Sequence, residues 1–262
     1  MHLPRLYAHR GAARELPENT LPAFRRALAV GATALETDVH LTRDGQVVLC
    51  HDPTGERAAD VRRAVRDVTL AEVRGWDVGR VFRRMKPEIG EAAFTVPTLE
   101  ELLAETDGVP VNVDIKQHDA AAVAATVAVV RKMRAQDRVL LTSFDAGTIR
   151  RVRRLGYEGA TGLGASELVR LVFAPDAILR AFPLRGSAAQ MPTRMASVPL
   201  DRTALIAKAR ALGLVVHYWT INEPAEAERL LGLGADGIMT DDPAAIAPVF
   251  AKLAAKAASG AT

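Results

Sequence analysis

Short apolar runs alternate along the chain with longer stretches in which leucine, alanine and valine return every three or four positions. The runs at 6–9, 34–40, 111–115, 139–143, 160–163, 188–191, 215–220 and 237–240 are too short for helices and read as strands. The stretches 20–29, 120–134, 146–155, 202–212 and 225–231 carry the spacing of helices with one buried face. Gly31, Gly156, Gly213 and Gly234 follow several of them, where a left-handed residue ends a helix. Strands alternating with helices in this way predict an α/β protein, a (β/α)8 TIM barrel.

One stretch interrupts the rhythm. Residues 41–50 read as a hairpin turning at Asp44-Gly45, and a polar, arginine-rich segment follows at about 53–96. Setting that segment aside leaves ~27 residues per βα unit, which suits a compact barrel. The expectation is one barrel domain over 1–262, with a small insertion after the second strand and its hairpin. An open doubly wound sheet is the rival. It needs a Gly-rich phosphate loop after the first strand, and Gly11-Ala12-Ala13 is not one.

Composition then excludes several classes. Of 262 residues, 49% are hydrophobic and 25% charged, with 34 Lys+Arg against 31 Asp+Glu. A net charge of +3 is too small for a nucleic-acid-binding face. A single cysteine, Cys50, excludes an intramolecular disulfide framework and a Cys-rich zinc site. No apolar run approaches the ~20 residues of a membrane span. The start lacks the long apolar segment of a signal peptide, so a cytoplasmic protein without a stable membrane anchor is expected. Residues 252–262 read as a fraying helix end.

In a barrel, polar residues at the C-terminal ends of the strands build the active site. Here His9-Arg10-Gly11 ends the first strand, Glu36-x-Asp38 lies on the second, and His51-Asp52 ends the hairpin. Asp114-x-Lys116 follows on the third strand, Trp219 on the seventh and Thr240-Asp241 on the eighth. Glu36 and Asp38 are two apart and project from one strand face. Carboxylates that close repel and lose hydration unless a cation lies between them. Asp114 supplies a third oxygen donor. Hard oxygen donors without cysteine suit Mg²⁺ or Ca²⁺ better than Zn²⁺. Alone, Glu-x-Asp reads as a solvated strand edge; with Asp114-x-Lys116 it reads as a site. An imidazole ordinarily titrates near neutrality, so of His9 and His51 one can take a proton while the other gives one. Arg10 and Lys116 add the fixed positive charge that a phosphate requires.

Taken in order, the segments His9-Arg10-Gly11, Glu18-Asn19-Thr20, Glu36-Thr37-Asp38-Val39, His51-Asp52-Pro53, Asp114-Ile115-Lys116, Ser143-Phe144, Trp219-Thr220-Ile221-Asn222 and Gly237-Ile238-Met239-Thr240-Asp241-x-Pro243 resemble the glycerophosphodiester phosphodiesterase family. The resemblance runs from the first strand to the last. It implies a TIM barrel with an insertion after the His-Asp motif. It also implies hydrolysis of a small-molecule glycerophosphodiester to sn-glycerol 3-phosphate and an alcohol. In that pattern His9 and His51 form the acid/base pair, Glu36, Asp38 and Asp114 bind the metal, and Arg10 and Lys116 contact phosphate. The family usually has Glu where this chain has Asp114, which is one methylene shorter and implies a looser or water-mediated hold on the metal. The run Thr54-Gly55-Glu56-Arg57 also departs from the family's threonines after the arginine, which implies a differently shaped pocket.

Other residues carry two readings. Trp219 is a wall against the substrate or barrel packing, and Gln190 on the sixth strand binds substrate or fills the barrel. Asn19 or Thr20 caps a helix, with Glu18 reaching toward the site. Asp241, close before Pro243, reads as a helix cap. His40, His118 and His217 read as packing or surface residues, His2 as part of a flexible end, Cys50 as inert core, and the arginine runs 62–66 and 150–154 as solvated faces. The apolar segment 168–182 reads as a buried helix and loop closing the rim, against a hydrophobic ramp for acyl chains. The ramp would make the protein a lysophospholipase D or another phospholipid phosphodiesterase on the same barrel. The non-enzymatic rival is a silent barrel that binds phosphorylated ligands, and intact His9, His51, Glu36 and Asp38 stand against it.

Overall fold

Valine, leucine, isoleucine and alanine dominate the runs that become strands, and both faces of most runs are covered. In the computed structural model, which describes residues 3–259, the strands are Arg5–His9 (β1), Ala34–Leu41 (β2), Val47–Leu49 (β3), Val111–Ile115 (β4), Val139–Thr142 (β5), Ala188–Met191 (β6), Val215–Tyr218 (β7) and Gly237–Thr240 (β8). They pair in the order β5-β4-β2-β1-β8-β7-β6, all parallel, with β3 antiparallel on β2 as the expected hairpin. Outside residues 54–96 the helices are Leu21–Ala29 (α1), Leu99–Glu105 (α2), Ala120–Lys132 (α3), Ala146–Arg154 (α4), Ala165–Phe173 (α5), Asp176–Ala181 (α6), Thr203–Ala211 (α7), Pro224–Gly232 (α8) and Pro243–Ser259 (α9). His2 and residues 260–262 lie outside the described residues. No helix among the described residues is long and apolar enough to cross a membrane.

The expected strand at 160–163 does not form as such. Single bridges, Leu141 to Thr161 and Gly162 to Ala188, join β5 to β6 and close the parallel barrel. The chain passes too close to β5 for an ordinary stave: a Cβ on Gly162 would lie 2.6 Å from Thr142 Oγ1. Glycine supplies the close approach and removes the side chain that strand packing uses.

Apolar side chains facing outward from the strands meet the helices in two clusters. One is built around Leu35, Val39, Val113, Val123 and Val127, the other around Leu6, Val216, Ile238, Ile206 and Leu230. Between β3 and α2, residues 54–96 gather their own small core around Val65, Val68, Trp76 and Val96, and Thr69 and Thr98 each begin a helix with a capping box.

Alternate residues point into the barrel, so its interior is layered. Below the site, Tyr7 packs with Ala34 and Met239, and its ring lies 4.8 Å from that of His217. Gln190 Nε2 meets Asn112 Oδ1 and His217 Nδ1, both at 3.2 Å. Burial pulls the His217 pKa down to about 4, and the Asp236 charge raises it too little to offset the lost water. An unfolded histidine titrates near 6.5. Between the two values the unfolded chain holds more protons, so stability falls as pH drops through that window, by about 3 kcal/mol at most. Urea unfolding of His217→Gln between pH 4 and 7 should show that part of the acid slope missing. An unchanged slope would assign acid sensitivity elsewhere.

Candidate active site

The strand registers bring the charged motifs together. His9 pairs with Glu36 across β1 and β2, and Asp38 with Asp114 across β2 and β4. Because strand side chains alternate, all four face the same interior. After His9 the backbone turns through two left-handed residues, Arg10 (φ 58°) and Gly11 (φ 88°). A Cβ on Gly11 would lie 2.8 Å from the carbonyl carbon and Cβ of Ala23, so only glycine lets α1 pack here. Gly11→Ala is therefore expected to cost about 2 kcal/mol or more, read as a lower urea midpoint; a neutral substitution would contradict that packing.

The left-handed turn costs Arg10 about 1–3 kcal/mol and turns it back over the acids. Its backbone N–H donates to Glu36 O at 3.0 Å and Oε2 at 3.2 Å, and its Nε stands 3.0 Å from Asp38 Oδ2. Lys116 Nζ donates to Asp114 Oδ2 at 2.6 Å and lies 3.1 Å from Asp38 Oδ1. Asn19, itself left-handed at φ 55°, donates from Nδ2 to Asp38 Oδ2 at 3.1 Å and accepts from Thr37 Oγ1 at 2.7 Å.

Glu36, Asp38 and Asp114 are all buried. Burial favours protonating each of them, but Arg10 and Lys116 overcome it at Asp38 and hold that carboxyl below the usual range. Asp114 goes up through burial despite Lys116. Glu36 is pushed up to about 8, first by burial and then by the Asp38 charge. Asp114 Oδ1 is buried with no hydrogen-bond or ion-pair partner among the described residues, and Asp38 Oδ1 has only the Lys116 ammonium at 3.1 Å. With Arg10 and Lys116 folded onto the acids, no group of three His, Cys, Asp or Glu among the described residues is gathered tightly enough to hold a metal as it stands. The donors nonetheless fit a hard divalent cation: three buried carboxylates, one of them, Asp114, with an orphaned oxygen, and another, Glu36, forced toward neutrality by burial and the Asp38 charge.

Each motif histidine is anchored through Nδ1. His9 Nδ1 meets Asp241 Oδ1 at 2.6 Å, and Asn222 Nδ2 holds the other Asp241 oxygen at 3.1 Å. His51 Nδ1 meets Asp52 Oδ1 at 2.6 Å. Such anchoring leaves Nε2 as the working nitrogen; His9 Nε2 lies 3.8 Å from Glu36 Oε2. Burial opposes the His9 imidazolium, but Glu36 and Asp241 outweigh it and the pKa is raised. Arg57 reaches in from the insertion, donating to Asp52 and, at 2.6 and 3.0 Å, to Glu18, which also takes Arg10 Nη1 at 3.3 Å. Cys50 donates to Asp52 O, and burial pushes its thiol up to about 12, which keeps it inert.

His9, Arg10, Glu36, Asp38, His51, Asp114, Lys116, Gln190 and Trp219 all open on one cavity of about 340 Å³. Phe144 joins them at the mouth, edge-on to Trp219 with ring centres 5.6 Å apart. Gln190 lines the floor with its amide committed to Asn112 and His217.

Two readings need correction, and one open alternative is decided. Asp241 is not the helix cap; Asp242 takes that part, accepting from Ala245 N at 3.1 Å, and Asp241 belongs to His9. Asn19 holds Asp38, while Thr20 alone caps α1. The segment 168–182 is only partly buried: Leu171 and Leu179 are inside, but Val169, Phe173, Ile178 and Phe182 are exposed, and Leu168 and Val169 border the cavity. The His9–Asp241 pair follows from the register of β1 on β8, Ala8 opposite Thr240, which residue spacing does not encode.

This barrel, with acids and two anchored imidazoles at one end, defines a phosphodiesterase-like site. The sequence pattern of the Glycerophosphoryl diester phosphodiesterase family matches residues 9–245. A probable glycerophosphodiester phosphodiesterase 2 from Mycobacterium tuberculosis is 35% identical over 240 residues, covering 89% of this chain and 86% of that protein. The crystal structure of a putative glycerophosphoryl diester phosphodiesterase from Silicibacter pomeroyi superimposes with a TM-score of 0.77 at 32% identity, covering 97% of this chain and 95% of that one. An Oleispira antarctica phosphodiesterase, solved with its product sn-glycerol-3-phosphate, matches with a TM-score of 0.77 at 25% identity over 95% of this chain and 97% of that one. The chain belongs to the glycerophosphoryl diester phosphodiesterase family, whose members hydrolyse phosphoric diester bonds.

Proposed function

We propose that the protein hydrolyses glycerophosphodiesters to sn-glycerol 3-phosphate and an alcohol, with Mg²⁺ or Ca²⁺ held by Glu36, Asp38 and Asp114. The observation that carries this reading is the pairing of each imidazole with its own carboxylate, His9 with Asp241 and His51 with Asp52, on a cavity shared with the three acids. A divalent ion held by these three carboxylates would supply the positive charge that a phosphodiester needs as charge develops on it. Arg10 and Lys116 are the side chains that would bind the phosphate and fix its orientation. One imidazole takes the proton of the attacking hydroxyl at Nε2, and the other delivers a proton to the leaving alkoxide. Asp241 and Asp52 hold the rings in the tautomer this requires and stabilise each imidazolium as it forms. Trp219 and Phe144 wall the glycerol carbons. The attacking hydroxyl is water or the glycerol's neighbouring hydroxyl, which is already in position and spares the entropy of bringing in a nucleophile.

The test is a screen of water-soluble glycerophosphodiesters against added metals, with the product identified. Release of sn-glycerol 3-phosphate supports the reading. A phosphorylated alcohol as product, or no turnover with either ion, contradicts it.

The exposed apolar mouth favours a second reading, a lysophospholipase D-type activity. Phe144, Leu168, Val169 and Met195 border the cavity and offer an acyl chain an apolar path. Lysophosphatidylcholine turned over at least as well as glycerophosphocholine would support it.

A further inference from the structure

The arginine run at 150–154 does more than face solvent. Arg150, Arg153 and Arg154 on α4 line a cavity of about 490 Å³ with Glu167 and Arg170 on α5 and with Arg185 beyond α6. Five guanidiniums against one carboxylate leave a formal +4, in a chain whose total is +3. Glu167 is already occupied: its Oε2 accepts from Arg153 Nη1 at 2.9 Å and Gly164 N at 3.1 Å, and its Oε1 from Arg185 N at 2.9 Å. Arg153 is spent on Glu167, Thr161 and the Gly162 carbonyl. The guanidiniums of Arg150, Arg154 and Arg185 have no hydrogen-bond or ion-pair partner among the described residues. Like charges this concentrated repel, and an anion relieves them.

Apolar surface adjoins this cavity. Phe144, Val169, Phe173, Ile178 and Phe182 are each exposed by 45% or more, and they make up five of the seven large apolar side chains so exposed among the described residues. Arg170 of the cavity donates to the Phe182 carbonyl, whose N–H donates to Ile178 O at 2.9 Å. Phe173 sits one helical turn beyond Arg170 on α5. On the other side of α5, Leu168 and Val169 border the active-site cavity. One helix thus separates an arginine-lined recess from the active-site mouth, with apolar tips around both.

We infer that the α4–α6 face docks on an anionic lipid surface. The recess takes a lipid phosphate, and Phe173, Ile178 and Phe182 enter the interface beside it. Arginine recognises the phosphate of an acidic headgroup by paired donors, while the neighbouring aromatic and aliphatic side chains gain by leaving water. Charge and apolarity on one face match an anionic bilayer better than a soluble anion, which has no use for the apolar tips. Docking holds the catalytic mouth at the membrane whether the cleaved ester is water-soluble or carries an acyl chain, so it is independent of the substrate reading above.

The test is sedimentation of the full chain with vesicles of phosphatidylcholine alone or with phosphatidylglycerol as about a third of the lipid. Wild type should partition onto the anionic vesicles at least about tenfold more strongly, and the difference should shrink as salt is raised. The double variant Arg150→Glu/Arg154→Glu should lose about tenfold or more of that binding, and Phe173→Ser/Phe182→Ser should also bind more weakly. Both variants should keep wild-type melting temperature and wild-type turnover of a water-soluble diester, since neither pair of residues belongs to the catalytic cavity. Equal partitioning onto both vesicles, or none onto either, overturns docking. So does thermal stabilisation by inorganic phosphate that needs Arg150 and Arg154 in the absence of vesicle binding, which would make the recess a free-anion site. Self-association abolished by Phe173→Ser/Phe182→Ser, without vesicle binding, would assign the face to a second copy of the chain.

Discussion

Alanine at His51, or at His9, is expected to slow hydrolysis of glycerophosphocholine by about 10²–10⁴-fold for each residue, with the fold intact. Both rings face the cavity at its solvent side, so their removal leaves no closed void in the core. The loss should appear in kcat more than in KM, because proton transfer matters in the transition state while the phosphate is held by other groups. The anchors give a graded control. Asp241→Asn keeps the shape of the His9 contact but removes the charge that favours its imidazolium, so it should lose less than His9→Ala and move the pH–rate profile to lower pH. Wild-type turnover in either histidine variant would remove that ring from the mechanism. Loss of cooperative unfolding would show a structural role instead.

Glu36→Gln is expected to separate stability from function. In the metal-free protein the Glu36 pKa is raised from 4.5 to about 8, so at neutral pH the folded state keeps a proton that the unfolded chain releases. The unfolded state binds fewer protons across that window, and stability therefore falls as pH rises from 4.5 toward 8. Glutamine carries no such burden. The variant should be more stable than wild type without metal at pH 7, by about 2–3 kcal/mol, and the gap should close below pH 4.5. It should also lose turnover and most of any stabilisation by Mg²⁺ or Ca²⁺. Urea titrations with chelator and with added ion read both effects. A less stable, fully active Glu36→Gln would contradict the view that this carboxylate is held for a cation.

Those two experiments rest on residues visible in the sequence. Period-two spacing places Glu36 with Asp38 on one strand face, and the strand ends locate His9, Arg10 and Lys116. Alternating strand and helix patterns yield the barrel order, and Asp44-Gly45 yields the hairpin. What stayed hidden depends on contacts distant in sequence. Asp241 meets His9 across 232 positions because β1 lies beside β8, and Asn19 meets Asp38 because a left-handed residue turns it inward. The stave at 160–163 shrinks to two bridges, since Gly162 is placed for closeness to Thr142 and not for strand pairing. The segment 168–182 is apolar enough to suggest burial, yet hydrophobicity alone does not say which surface it faces. Its exposed phenylalanines adjoin a recess of arginines contributed partly by another helix.

Burying three acids under two basic side chains has a functional logic. Arg10 and Lys116 compensate the buried Asp38 and Asp114, and in the proposed mechanism both would turn to the phosphate once a cation took over that charge. Such an exchange would keep the buried charges matched.

The most direct test is anomalous diffraction from crystals soaked in Mn²⁺, a hard divalent probe, together with sn-glycerol 3-phosphate. The expected result is one metal peak about 2.2 Å from carboxylate oxygens of Glu36, Asp38 and Asp114, with Arg10 and Lys116 turned onto the phosphate and His9 and His51 on either side of it. A metal bound elsewhere, or a phosphate seated in the cavity with those acids still clasped by Arg10 and Lys116, would contradict it.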